Sequence, residues 1–282
     1  MSIVPQLLAA IRDPRWYQVF VLSLLLGFGI LALDFGILWQ NAVAIFVMAQ
    51  VTQFLASRLI ARIPYDPLSA LITSYSLTLL LRTDVIAVAM LAAVIAIGSK
   101  FLVRVRGKHV FNPANVALVA LMLLSERAWI SSGQWGSATI GALALACLGM
   151  LVLTRARRAE TTLAFIAGYG GLLFGRALWL GDPLAIPIHQ VQNGALLIFA
   201  FFMISDPKTS PNAPLGRILY GLLVATVAYV IQFVLYEPNA PILALIMCAP
   251  IVPLIDFMLG GRSYRWKQPA AEPAVPVKGV YP

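Results

Sequence analysis

The sequence predicts an all-α integral membrane protein of about ten transmembrane helices, arranged as two inverted five-helix repeats that each contain short or broken helices. Three observations lead there. Of 282 residues, 61% are apolar and 11% charged, with a mean hydropathy of +0.88, against about 45–50% apolar and about 25% charged in a soluble domain. Such a chain has too little polar surface to face water. The net charge of +9, from 20 Lys+Arg and 11 Asp+Glu, falls between the apolar runs and so records topology. That excludes reading it as a nucleic-acid-binding surface. Finally, the chain resembles itself at an offset of 125 residues.

A helix needs about 20 apolar residues to cross about 30 Å of hydrocarbon. After a cytoplasmic N-terminus at 1–16, the first repeat covers 17–125. Full-length spans are read at 17–33, 40–57 and 85–103, with short or interrupted ones at 68–81 and 113–124. The first apolar run is expected to be retained rather than cleaved as a signal peptide. Asp34 and Trp39 follow it, no small-residue cleavage site is present, and a second span comes directly after. An outer connecting loop, 126–137, leads to the second repeat, 138–259. There the full-length spans are 138–154, 161–180 and 218–235, and the short ones 192–205 and 241–259. The Pro-rich segment 260–282 reads as a disordered cytoplasmic tail.

With the N-terminus inside, seventeen basic residues fall on inner segments and three, Arg82, Arg127 and Arg176, on outer ones. This asymmetry supports ten spans with both termini cytoplasmic. Cys147 and Cys248 lie in apolar segments without C-x-x-C or Cys/His spacing, so they read as buried inert thiols, and no metal site is nominated.

At the offset of 125, Ser69-Ala70-Leu71-Ile72 falls on Gly194-Ala195-Leu196-Leu197, and Phe111, Pro113, Leu118 and Met122 fall on Tyr236, Pro238, Leu243 and Met247. The alternative is chance similarity between apolar segments. Five spans per half would insert the second half upside down, and short Pro-interrupted helices at matching positions point to a central site near the midplane. A 14-residue helix covers only about 21 Å. Non-helical backbone must complete such a crossing, and it survives only where protein or a polar cavity satisfies it.

Few residues carry chemistry. Asp206 and Asp256 sit at the inner ends of the two short spans of the second half, and acids at that depth are functional candidates by default. Their structural alternatives are a helix-end turn for Asp206 and a pair with Arg262 for Asp256. Asn112-Pro113-Ala114-Asn115 opens the fifth span as a cap with proline in the first turn, and its N–H groups could meet an anion or phosphate. Lys100 either snorkels to the inner surface or contacts a ligand. His109 and His189 are isolated from each other. Gly171-Leu172-Leu173-Phe174-Gly175 reads as close helix packing, and the Trp residues flanking the spans as an interfacial belt.

These residues resemble a known family, the membrane subunits of bacterial respiratory ion pumps: the NqrB subunit of the sodium-translocating NADH:quinone oxidoreductase and the RnfD subunit of the Rnf electron-transport complex. The resemblance runs through Ser69-Ala70-Leu71-Ile72, the Lys100 region into Phe111-Asn112-Pro113-Ala114, Phe201-Phe202-Met203-Ile204-Ser205-Asp206-Pro207 with Thr209, Gly216-Arg217, and Pro253-Leu254-Ile255-Asp256. It implies a urea-transporter-like fold in the bacterial inner membrane. It also implies a flavin, FMN or riboflavin, with Lys100, Asn112, Asp206 and Thr209 as cofactor-binding residues. In the family FMN is attached to a threonine in a Ser/Thr-Gly-Ala-Thr motif between the fifth and sixth helices. The nearest match is Gly136-Ser137-Ala138-Thr139, where the glycine is displaced, so Thr139 is the candidate for covalent FMN. Asp206 and Asp256 match two cation-path acids, but Phe101 follows Lys100 where the sodium pump has an acid. No catalytic residue is nominated.

Two functions follow. One is a flavin-holding subunit that passes electrons to other membrane or redox subunits and couples this to cation movement. The other is a transporter or channel for a small or flavin-like solute, using the pocket between repeats. A decayed, non-catalytic assembly subunit is a third.

Overall fold

The computed structural model describes residues 13–33, 35–131, 144, 146, 148–152, 159–262 and 264. It is predominantly helical. Helix α1 (Pro14–Leu31) begins where Asp13 accepts a hydrogen bond from the Arg15 N–H and Pro14 occupies the first turn. Helix α2 (Trp39–Ala56) runs into a π turn, Ser57–Ala61. Helix α3 (Pro67–Leu80) repeats the device of α1, with Asp66 as cap and Pro67 next. It is followed at once by strand β1 (Leu81–Thr83). Helix α4 (Ile86–Leu102) leads into a small hairpin of β2 (Arg104–Val105) and β3 (Lys108–His109), then α5 (Pro113–Leu124) and β4 (Ala128–Ile130).

Helical backbone at 148–152 precedes α6 (Ala159–Leu180) and α7 (Ala185–Val191). Helix α8 (Gly194–Ile198) continues as a π turn, Phe199–Met203. Helix α9 (Pro214–Phe233) is followed by α10 (Ala240–Cys248), a 3₁₀ turn at Ala249–Ile251 and α11 (Val252–Leu259).

Five helical stretches are long and apolar enough to cross a membrane: Pro14–Leu31, Trp39–Ala61, Ala159–Leu180, Pro214–Phe233 and Ala240–Leu259. The pair Ala185–Val191 and Gly194–Met203, bent by 48°, makes a sixth if taken as one span. Helices α3, α4 and α5, of 14, 17 and 12 residues, are apolar but shorter. The four segments that the sequence marks as short fold as short or interrupted helices. The anticipated span at 138–154 lies largely outside the described residues.

The short helices are completed in a way that the hydropathy pattern did not suggest. β1 and β4, which follow α3 and α5, pair antiparallel with Leu81 opposite Ile130 and Thr83 opposite Ala128. Each strand satisfies the other's backbone where helix has run out. The bundle is otherwise helical, and the two short strand pairs supply the non-helical backbone that such crossings need. Three residues are too few for an alternating pattern to show.

Packing rests on small residues. Ala89, Ala92, Ala93 and Ala96 of α4 are fully buried, and α4 packs against α2 and α5. Helix α6 packs on α9 through Gly221, where a Cβ would stand 2.6 Å from the Thr161 carbonyl oxygen. The Gly171/Gly175 pair, read from the sequence as a packing motif, meets nothing within 4 Å among the described residues. Close approach on α6 is made instead at Gly168, against Leu222. Gly221→Val is therefore expected to lower stability by about 1–3 kcal/mol through overpacking, whereas Gly175→Val should leave the thermal midpoint of the detergent-solubilised protein unchanged.

Candidate functional site

Four helix ends converge on a cleft at one end of the bundle. Ser69 and Thr73 come from the first turns of α3, Lys100 from the last turn of α4, Asn112 from the cap of α5, and Asp206 from the turn after Phe199–Met203. The Lys100 stem does not snorkel outward. The residue is 4% exposed, and its Nζ donates to the Ser69 carbonyl and to Ser69 Oγ, both at 3.1 Å. Asn112 acts twice. Its Oδ1 accepts from the Asn115 N–H at 3.2 Å as a cap, and its Nδ2 donates to the Met203 carbonyl at 3.3 Å, tying α5 to the π turn.

Asp206 Oδ1 accepts from the Lys208 N–H at 2.9 Å, while Oδ2 lies 3.9 Å from His109 Nε2, an ion-pair distance beyond direct hydrogen bonding. Burial pushes this carboxyl up, but His109, the Lys208 N–H and the Lys100 charge outweigh it and hold the carboxyl below its ordinary value. Thr209 does not line the cleft. It is buried behind Asp206, whose carbonyl accepts from the Thr209 N–H at 3.1 Å. Among the described residues lining the cleft, Asp206 is the one acid against Arg15, Lys100 and Lys208. Burial lowers the Lys208 ammonium, Asp206 raises it, and Arg15, Lys108 and Arg104 push it down further. Arg15 is itself paired with Asp13 at 2.6 Å and with Asp66 at 2.7 Å, so the cations left facing Asp206 are Lys100 and Lys208. The volume of the cleft is about 80 Å³, room for several waters or a small ion.

Asp256 stands apart from this cleft, and its partner is not the one anticipated. Its Oδ2 is 2.9 Å from Lys108 Nζ and its Oδ1 accepts from the Asn212 N–H at 2.7 Å. Lys108 and His109, adjacent on β3, therefore each hold one of the two candidate acids. Sequence reasoning missed Lys108 and treated His109 as isolated.

A second cavity of about 340 Å³ lies at the other end, lined by Trp129, Tyr169, Asn193, Phe199, Gln232 and Asn239 among others. The two are separated by roughly the 21 Å length of α3, since Ser69 lines the first and β4, paired to the strand after α3, lines the second. No charged residue lines the second cavity among the described residues. Asn193 Oδ1 caps α8 through the Ala195 and Leu196 N–H groups, and the Tyr169 hydroxyl donates to Gln232 Oε1. Phe199 faces this cavity while Phe201 and Phe202 face the cleft. The π turn is the wall between them. The sequence signal for the second cavity, single polar residues such as Gln232 within apolar spans, was present but unread. Thr139 lies outside the described residues.

Residues 126–265 match the NQR2, RnfD, RnfE family. The chain is similar to that family over this stretch. It is also similar to proteins described as a subunit of the ion-translocating oxidoreductase complex. The relative from Psychromonas ingrahamii is 33% identical over 102 residues, 36% of this chain and 29% of the relative. That from Erwinia tasmaniensis is 32% identical over 116 residues, 40% of this chain and 32% of the relative. The similarity thus spans about a third of the length of these relatives. The family match includes Asp206, Thr209 and Asp256; Lys100 and Asn112 precede it.

The lowered Asp206 value gives a signed expectation. A carboxyl held below its unfolded value of about 3.9 stabilises the fold above that pH, and the contribution is lost as pH falls through the folded value. Thermal midpoints measured from neutral to acid pH should therefore fall less steeply for Asp206→Asn than for the natural protein. An identical acid limb would contradict the assignment.

Proposed function

We propose that this chain is a multi-pass subunit of an ion-translocating electron-transport complex, holding a flavin and working beside other membrane redox subunits. The observation that carries the reading is the pair of polar cavities at opposite ends of an apolar helical bundle, divided by one π turn. Ten spans in two inverted repeats, 17–125 and 138–259, belong to the same proposal. It is supported by parallel packing, α2 on α4 and α4 on α5 in the first half, α6 on α9 and α9 on α10 in the second. Cytoplasmic termini are supported by the distribution of basic residues, and a bacterial inner membrane by the family resemblance.

The two cavities differ in how they suit a flavin. Ligand pockets begin at about 300 Å³ and combine apolar walls with a few polar groups. The second cavity meets this with Tyr169 and Phe199 as walls and the carboxamides of Gln190, Asn193, Gln232 and Asn239 to meet a ring's amide-like edge. Among the described residues no charged side chain lines it, so it suits riboflavin, or an FMN whose phosphate lies outside. The cleft, at about 80 Å³, is too small for a tricyclic ring as it stands. Lys100, Asn112 and Asp206, with Thr209 supporting Asp206, would hold only a polar edge there.

A bound flavin supplies one- and two-electron transfer, and the protein supplies position and electrostatics. Lys100 and Lys208 favour an anionic group in the cleft and oppose a passing cation. Cation movement through it would therefore depend on Asp206, with Asp256 on the same route beyond β3. The facing cavities also favour a second reading, a solute transporter, in which uptake into proteoliposomes would need no electron donor.

Absorbance spectroscopy with intact mass on purified protein from a flavin-replete host tests the first reading. A flavin is expected, and its loss as a covalent mass in Thr139→Ala would locate the attachment. Well-folded protein without any flavin would overturn the reading. For a flavin in the second cavity, Phe199→Ala should shift its absorbance or release it, while Asp256→Asn should not.

A further inference from the structure

We infer that the space between the β2–β3 hairpin and α11 is a binding site for the phosphate headgroup of an acidic phospholipid. A cavity of about 210 Å³ lies there, lined by Arg106, Lys108, His109, Asn212, Asp256 and Gly261 among others. Its charges do not cancel. Asp256 is committed to Lys108 and to the Asn212 N–H, and among the described residues no carboxylate lies at ion-pair distance from Arg106. One guanidinium is left over. An anion is the complementary ligand, and a guanidinium binds a phosphodiester through two parallel hydrogen bonds.

The backbone at Arg106 indicates that the side chain is wanted there. Arg104 pairs with His109 and Val105 with Lys108, so Arg106 and Gly107 are the two residues of the turn, with φ of +52° and +79°. A two-residue turn with both φ positive favours Asn-Gly or Gly-Gly. A long β-carbon-bearing side chain in the first position is strained. In return the turn places the Arg106 guanidinium 5.5 Å from the Phe257 ring centroid, at the rim of the cavity.

The surroundings select a lipid over a free anion. Phe257 and Met258 are 68% and 74% exposed, Leu254 is 56% exposed, and all three lie at the end of the apolar stretch Ala240–Leu259. Apolar surface for an acyl chain thus adjoins a cationic cavity for a phosphate, the arrangement of headgroup and tail at a bilayer surface. A zwitterionic headgroup would bring its ammonium against Arg106 and Lys108. An acidic one, such as phosphatidylglycerol, would not.

The test uses the full chain, delipidated in detergent, with thermal midpoint and native mass spectrometry as readouts. Phosphatidylglycerol should raise the midpoint by a few degrees and be retained in the spectrum, while phosphatidylcholine and inorganic phosphate should do neither. Arg106→Gly relieves the turn, so it should fold at least as well without lipid, yet lose the phosphatidylglycerol shift and the retained lipid. Arg106→Gln should lose both as well. An undiminished shift in Arg106→Gly would overturn the inference. So would equal shifts from the two lipids, or an equal shift from inorganic phosphate.

Discussion

A helix of 12 residues rises about 18 Å, and the hydrocarbon it sits in is about 30 Å thick. Helix α5 has 12 residues and α3 has 14, so each leaves backbone N–H and carbonyl groups at a depth where no water is at hand to bond them. At their starts, Asp66 and Asn112 cap the first turns, with Pro67 and Pro113 presenting no N–H to satisfy. At their far ends β1 and β4 pair with each other. In the second half the helices are interrupted instead, by the π turn after α8 and the 3₁₀ turn between α10 and α11. Both cavities lie where these helices stop. The polar groups that line them, Asn112 in one and Asn193 in the other, are there first to finish a helix. Binding capacity comes with the solution to a backbone problem.

Charge in such a place must be held on more than one side. Breaking a buried pair by deleting one partner costs about 3–5 kcal/mol because the other charge is stranded. Lys100 is held by two oxygens of Ser69 from a neighbouring helix. Asp206 and Asp256 are held by consecutive residues of one two-residue strand, His109 and Lys108, whose side chains leave a strand in opposite directions. The hairpin that follows α4 thus spans the gap to the turn after Met203 and to α11. A change in the charge of either acid is felt by the same strand. The acids are one connected system through first-half residues, although they lie 50 positions apart in the second half.

How far this was legible in the sequence follows from the range of each interaction. Apolar runs and their interruptions are local, so the short segments at 68–81, 113–124, 192–205 and 241–259 could be seen, as could the Asn-Pro cap at Asn112. Lys100, Asn112 and Asp206 are grouped, with Thr209, by the family resemblance and not by any local pattern. The partner of Asp256 could not be seen. Arg262 is six residues away and Lys108 is 148, and only the folded hairpin makes the distant one the nearer. Strands β1 and β4 were invisible because three residues show no period. The second cavity was missed because its polar residues come one at a time from separate elements. Gly171 and Gly175 misled because spacing alone does not say which face of α6 meets α9.

The π turn Phe199–Met203 unites these features. A π turn contains one residue more than the helical turn it replaces, and here side chains of that one turn serve different cavities, Phe199 one and Phe201 and Phe202 the other. Its last carbonyl, that of Met203, is held by Asn112, and its start is braced by the Phe165 ring, 5.0 Å from that of Phe199. Thr162 donates to the Ala200 carbonyl inside the turn at 2.5 Å. The wall is therefore fastened to both halves: α5 supplies Asn112, and α6 supplies Phe165 and Thr162. A ligand that displaces Phe199 in the larger cavity must work against the same five residues whose far end positions Asp206 in the smaller one. Phe199 of the larger cavity and Asp206 beside the smaller one are thus joined through the five residues of one fastened turn.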